Sequence, residues 1–345
     1  MKHGVKYGIL ASLLALAMVG CSAGNTSTEE AGNTQDNEKK KTYEISIGHV
    51  LDESHSEHKT FQEFEKYVEK ESDGQIQVEI FPNGQLGSDR EVIEGVEVGT
   101  VTMAGPSTAP VTSFVPELSV FDLPFLFESR EVAYEVLDSE VGTDLLNSVD
   151  AGGFKGLGWW EAGYRHLTNS KGPVETPEDL EGLKVRTMEN EMHVAAWESM
   201  GANPTPMAWG EVFVSLQQGA LDGQENPLGI ISSQKIHEVQ DYLTLTGHVY
   251  SPIVVIMNKD FYDSLPEDLQ KIVNDGMKKA TELNRQLVTE EDNVKLQELK
   301  ETGMNITELT SEQKALFKEA ALPVYDQYKD KIGADLVERM LEAVK

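Results

Sequence analysis

From Tyr43 onward the chain alternates apolar patterns of strand period and helix period, and this alternation confines it to folds built on a mainly parallel sheet. Residues 43–50 (YEISIGHV) set Ile45, Ile47 and His49 on one side at a period of two, as a half-buried strand requires. Residues 57–71 place Phe61, Phe64, Tyr67 and Val68 at three- and four-residue spacing, which gives a helix one apolar face. A strand over 75–81, a turn at Pro82-Asn83-Gly84, a short helix near 88–98 and a strand at 100–104 complete a βαβαβ order. The order recurs from 154 to 250, with strands expected at 155–160, 184–188 and 241–248. The expected class is α/β with two similar lobes, each a mainly parallel sheet flanked by helices.

The longest helical pattern opens at Ser264-Leu265-Pro266-Glu267, where serine as cap, proline in the first turn and glutamate three residues on read as a capping box. Leu265, Leu269, Ile272, Val273, Met277, Ala280 and Leu283 keep the helical period, and Val288, Val294, Leu296 and Leu299 extend it toward Gly303. About forty residues at 1.5 Å each reach roughly 60 Å, so this helix is expected to touch both lobes. A bend is expected at Gly276, because glycine in a helix costs about 1 kcal/mol relative to alanine. The lobes are expected at 43–163 with about 252–290, and at 164–251 with about 291–345.

Ahead of these elements, Lys2 and Lys6 precede an apolar run, Ile9 to Val19, that ends in Met18-Val19-Gly20-Cys21. The order of charge, apolar run and small residues before a cysteine is that of a bacterial lipoprotein signal, and the run is too short for a permanent membrane span. Residues 1–20 are expected to be removed, leaving Cys21, the only cysteine, as an acylated N-terminus; the other reading is a buried or free thiol. Residues 21–42 carry almost nothing apolar and read as a flexible tether. The expected location is extracytoplasmic, lipid-anchored at the cell surface or on the periplasmic side. With 29 Lys and Arg against 59 Asp and Glu the net charge is −30, and loss of Lys2 and Lys6 with the leader makes it −32. Such a surface repels nucleic acid and anionic membranes.

Motifs of catalysis are absent: there is no phosphate-binding Gly-x-x-x-x-Gly-Lys-Ser/Thr, no His-Glu-x-x-His, no Gly-x-Ser-x-Gly and no Cys-x-x-Cys. A hydrolase using paired carboxylates leaves no such signature and stays open as an unsupported alternative. The nearest metal candidate is Asp52-Glu53-Ser54-His55-Ser56-Glu57-His58, whose imidazoles and carboxylates suit zinc. The competing reading is a loop whose Asp, Ser and Glu cap the following helix and favour its positive end.

Two arginines carry more weight. Arg165 and Arg186 each sit inside a short expected strand with apolar neighbours. A buried guanidinium costs several kcal/mol unless paired and hydrogen-bonded. The partner is either an internal Asp or Glu or the carboxylate of a ligand, which the planar fork grips through two parallel hydrogen bonds.

Five stretches then converge: Leu183-Lys184-Val185-Arg186, Asp222-Gly223-Gln224-Glu225-Asn226-Pro227, Trp209-Gly210-Glu211-Val212 with Leu216-Gln217-Gln218-Gly219, Phe81-Pro82-Asn83-Gly84-Gln85-Leu86-Gly87, and Asp122-Leu123-Pro124-Phe125-Leu126-Phe127. In this order and spacing, over about 43–340, the chain resembles the DctP-like solute receptors of tripartite ATP-independent periplasmic (TRAP) transporters. The resemblance implies a two-lobe periplasmic solute-binding-protein fold (type II-like) without catalysis or cofactor. It implies that Arg186 makes a bidentate contact to the ligand carboxylate, that Asn226 binds the same group, that Trp209 lines the pocket and that Arg165 adds a second cation. By family position His49, His55, Ser107 and Glu189 are expected to approach the ligand. His49 reads equally as a satisfied strand-end histidine, Glu189 as a solvated acid, and Met103, Met188, Met207, Trp159 and Trp160 as core or pocket wall. The implied partners are a small organic acid, with a hexuronate-type sugar acid favoured over a C4-dicarboxylate, and the membrane subunits of the transporter.

Overall fold

The computed structural model describes residues 41–345, so the expected leader, Cys21 and the tether up to residue 40 lie outside the described residues. Strand β1 (Tyr43–Gly48) buries Tyr43, Ile45 and Ile47 and exposes Glu44, in keeping with its two-residue period. Helix α1 (Ser56–Glu71) turns Phe61, Phe64 and Val68 onto the same core. Strand β2 (Ile76–Phe81) pairs parallel with β1. Helix α2 (Asp89–Val98) starts on a reciprocal capping box between Ser88 and Glu91 and ends on Gly99 in the left-handed region. Strand β3 (Met103–Ala104) lies parallel to β1 on its other side.

After β3 the chain runs through short helices, among them Arg130–Leu137 and Glu140–Ser148, before it enters β4 (Phe154–Asn169), a strand of 16 residues. A second parallel group follows, with β5 (Lys184–Thr187) between β6 (Asn203–Pro206) and β7 (Gly223–Asn226). The 17-residue β8 (Tyr242–Asn258) then runs back antiparallel to β4. The far end of β8 pairs with β3 through Met257 and Met103, and the far end of β4 pairs with β7 through His166 and Asn226. One continuous sheet results, in the order β2-β1-β3-β8-β4-β7-β5-β6, with β9 (Asn305–Thr307) alongside β8.

Each half of the sheet is thus mainly parallel, as expected, but the halves are not separate sheets. Two crossing strands of unexpected length join them. Residues 154–169 hide their strand character because Gly156, Gly158 and Gly163 interrupt the side-chain pattern and both faces are buried from Trp160 to Gly163. Where β4 passes from one half to the other its register with β8 shifts, between Glu161 and Gly163 and again between Arg165 and Leu167. Strands β6 (NPTP) and β7 (GQEN) gave no strand signal, being short and without an apolar alternation.

The long helix, Glu267–Glu301, has 35 residues and so spans about 52 Å. Leu269, Val273, Met277 and Ala280 pack with α1 residues of the first half, and Leu299 packs with Val212, Ile231 and Leu243 of the second. The expected contact with both parts holds. Its expected start does not: Ser264 donates its hydroxyl to the Phe261 carbonyl (2.7 Å), finishing the preceding short helix Lys259–Ser264, and the extended Leu265 separates the two. The helix begins after Pro266 with no side-chain cap. Gly276 is needed for close approach: a Cβ there would lie 2.9 Å from Tyr67 and 3.0 Å from Val68 of α1. Gly276→Leu is accordingly expected to overpack this contact and lower unfolding stability by about 1 to 3 kcal/mol in a denaturant titration.

The last two helices bridge the two parts of the expected division. Val324, Tyr328 and Ile332 of Pro323–Ile332 and Val337 and Met340 of Ala334–Ala343 pack with Leu118, Phe121 and Leu145 of the first half, in a cluster that also takes in Met192 and Ala196 of the second, and Tyr328 donates its hydroxyl to the Glu191 carbonyl at 3.1 Å. The helix before them, Ser311–Ala321, joins the second half, through Phe317 and Ala321 against Leu167, Val185 and Trp197. The apolar faces of three consecutive helices do not reveal which neighbour each one covers.

Candidate functional site

A cavity opens where the parallel strands of both halves end at their carboxyl sides, the position at which open α/β sheets accept ligands. Val50 and Leu51 beyond β1, Glu57 in the first turn of α1, Asp89 at the start of α2, and Gly105 and Ser107 beyond β3 form the wall of the first half. Arg186 of β5, Met188, Trp209, Asn226 of β7 and Ile230 form the facing wall, and Ala162 and Arg165 of β4 form the floor between them.

Arg186 is 3% exposed. Its Nε and Nη2 both donate to the Met207 carbonyl, at 2.9 and 2.6 Å, and its Cζ lies 5.4 Å from the centre of the Trp209 ring. Among the described residues no carboxylate oxygen comes within 4.0 Å of it. Burial pushes the guanidinium down to about 10 against the opposing pull of Glu225, so it is still cationic at neutral pH. One edge of the fork is anchored to backbone and the group remains unmatched by an acid.

Arg165 is different. Its Nε and Nη2 meet Glu225 Oε2 and Oε1 at 2.5 and 2.9 Å, and Nη2 also donates to the Glu225 carbonyl and to Asn226 Oδ1, at 2.7 and 2.9 Å. His248 Nε2 completes the group, 3.0 Å from Glu225 Oε2. Burial pushes the Glu225 carboxyl up, but Arg165 and His248 outweigh it and hold that carboxyl well below the usual carboxylate range. The second expected cation thus lines the cavity already neutralised by an internal acid. Asn226 accepts from Arg165 and donates to Gln224 Oε1 at 2.6 Å, leaving one amide hydrogen uncommitted.

Trp209 and Ser107 line the cavity, whereas His49, His55 and Glu189 do not. His49 is buried, hydrogen-bonded through Nε2 to His58 Nδ1 at 3.0 Å and stacked on Phe61; burial and the neighbouring His58 push it down to about 3, so it is a neutral core group. His55 turns Nδ1 back to accept the Glu57 N–H at 3.2 Å and caps α1. Glu189 is exposed. The zinc reading of the His55–His58 loop finds no support in this geometry: no group of three or more His, Cys, Asp or Glu converges for a metal among the described residues. Trp159 and Trp160 are core residues, donating to the Gly142 carbonyl (2.9 Å) and Thr281 Oγ1 (3.1 Å).

Two acids in the wall escaped the sequence reading. Glu57 was read only as part of the candidate zinc run or of the helix cap and dipole, and Asp89 was assigned to nothing. Glu57 is 5% exposed, yet its carboxyl makes no hydrogen bond to a described residue; burial, reinforced by Asp89, pushes it well above its ordinary value. Asp89 is raised to about 6 by burial and by Glu189, against the pull of Arg186. Their spacing along the chain gives no hint that α1 and α2 aim their first turns at one point.

Comparison with known proteins agrees with this architecture. Residues 47–331 match the family described as bacterial extracellular solute-binding protein, family 7, DctP. The chain is similar to a solute-binding protein of Verminephrobacter eiseniae, with 44% identity over 81% of this chain and 83% of that one. It superposes with a TM-score of 0.86 and 36% identity on the sugar acid binding protein DctPAm from Advenella mimigardefordensis in complex with galactonate, covering 88% of this chain and 98% of that one. A TRAP periplasmic solute-binding protein from Sulfurospirillum deleyianum with bound succinate gives a TM-score of 0.84 and 38% identity, covering 88% of this chain and 100% of that one.

Proposed function

Because this chain belongs to family 7 of the bacterial extracellular solute-binding proteins, the DctP family, and is a solute-binding protein and not an enzyme, we propose that it is the receptor of a TRAP transporter for an organic acid. The observation that carries this reading is Arg186: buried beside a cavity, charged, anchored on one edge by Met207 and matched by no acid among the described residues. A solute carboxylate supplies the missing partner, with the free amide hydrogen of Asn226 beside it and the Trp209 ring closing one side. In this reading Arg165 is a positioning residue, which fixes Asn226 through Oδ1 and contacts the ligand at most through its remaining edge.

Hydrogen bonds to charged groups contribute about 1.5 to 3 kcal/mol each. Two or three of them with apolar contact reach the roughly 8 kcal/mol of a micromolar receptor. We propose as lobes 43–163 with about 252–290 and 164–251 with about 291–322, the helices 323–345 packing across both. Their closure over the solute expels water and strengthens the ion pair. The net charge of −30 opposes an incoming anion, but screening over about 8 Å leaves the local guanidinium in control. Lipid anchoring at Cys21 and delivery to the transporter's membrane subunits complete the proposal.

The relatives bound to galactonate and to succinate frame the choice of solute, and the run from Arg186 to Pro227 favours a sugar acid. Calorimetric titration with glucuronate and succinate decides it: saturable heat without product formation is expected for glucuronate. Heat for succinate alone overturns the sugar-acid assignment, and heat for neither, nor for other small organic acids, overturns the receptor reading.

A further inference from the structure

An Arg186 clamp accounts for one end of a solute and leaves the opposite wall unexplained. That wall presents two carboxyl groups, Glu57 and Asp89, brought together from the first turns of α1 and α2. Glu57 has no hydrogen-bond partner among the described residues although it is 5% exposed, and it lines the cavity with oxygens that are not among the enclosed unpartnered atoms. A buried acid without a partner is an unusual thing to keep in a wall. Filling the core requires no carboxyl there, and capping α1 is done by His55.

We propose that Glu57 and Asp89 read hydroxyl groups of the bound solute, so that the receptor accepts a polyhydroxylated monocarboxylate and rejects a dicarboxylate. This rests on the organic-acid reading above. Burial and the neighbouring Asp89 shift Glu57 toward its neutral form, and a neutral carboxyl both donates and accepts. Asp89, near 6, is mostly ionised at neutral pH and only accepts. A hydroxyl is the group that satisfies both, donating to Asp89 while accepting from Glu57. A second carboxylate has nothing to donate. It would sit against the Asp89 charge in a cavity where Arg186 is already engaged and Arg165 is matched by Glu225. Ser107, on the same wall, adds a hydroxyl that serves either direction.

The test is calorimetric titration of the full chain with glucuronate and with succinate, for the wild type and for Glu57→Leu, Glu57→Gln, Asp89→Asn and Arg186→Lys, each checked for folding by thermal melting. The wild type is expected to bind glucuronate at least tenfold more tightly than succinate. Glu57→Leu is expected to cut that ratio at least tenfold, and Glu57→Gln, which restores a neutral donor and acceptor, to recover most of it. Asp89→Asn is expected to narrow the ratio at least fivefold by improving succinate. A ratio unchanged in Glu57→Leu and Asp89→Asn, while Arg186→Lys still weakens both acids, overturns the hydroxyl-reading wall and leaves the clamp standing. Indifference of both acids to Arg186→Lys overturns the clamp itself. The near-isosteric Gln and Asn variants keep the comparison decisive if Glu57→Leu fails to fold.

Discussion

Arg186→Lys is expected to weaken binding of the solute at least tenfold, a loss of about 1.4 kcal/mol or more, with little change in melting temperature. The positive charge is kept, so the long-range attraction survives; what is lost is the planar fork. In the native site Nε and Nη2 share the Met207 carbonyl, which fixes the plane of the guanidinium and directs its other edge toward the cavity. A lysine ammonium offers three rotating donors on a flexible stem and cannot hold one carbonyl while presenting two parallel hydrogen bonds to a carboxylate. Stacking over Trp209 is also weakened. Calorimetry on the variant, with the melt as a control for folding, reads both quantities. Unchanged affinity would show that the carboxylate is held elsewhere.

Glu225→Gln is expected to produce the largest stability loss, about 3 to 5 kcal/mol, because it strands a buried charge. Arg165 is 1% exposed and Glu225 fully enclosed, so water cannot replace the lost carboxylate. The amide retains shape and one acceptor, which isolates the charge from the packing. Replacing both partners, as Arg165→Met with Glu225→Leu, is expected to recover much of that loss, since an apolar pair of similar volume avoids the desolvation of two ions. The same group gives the fold an acid limit. The folded Glu225 carboxyl lies below its ordinary 4.5, so its contribution is fully present above that value and is lost as pH falls toward the folded value. Chemical denaturation of wild type and Glu225→Gln across the acid range checks this: the difference between them is expected to shrink as pH falls.

Several parts of the site were legible before any coordinates. Arg186 and Arg165 stood out because cations inside apolar strand patterns need partners, and both prove buried on strands. Pattern alone could not say which of the two an internal acid satisfies. That depends on Glu225 lying across from Leu167 in the β4–β7 ladder, 60 residues away in sequence from Arg165. The joint place of Glu57 and Asp89 was not legible, because a first-turn acid looks like an ordinary dipole complement, or in the Asp52–His58 run like a metal ligand, until the helices carrying the two converge. His49 and His55 lie outside the cavity lining for a related reason: one step of side-chain direction separates a cavity wall from a core pair with His58 or from a helix cap.

The sequence by itself determined the strand and helix order of residues 43–104, the long helix and the α/β class, since each rests on periodicity within one segment. Tertiary structure alone decided that two crossing strands fuse the halves into one sheet, that the last two helices pack across both halves, and which arginine is left without an acid. Those outcomes are pairings between distant segments. The free energy of burying a charge or an apolar face depends on what meets it, and no local pattern carries that information.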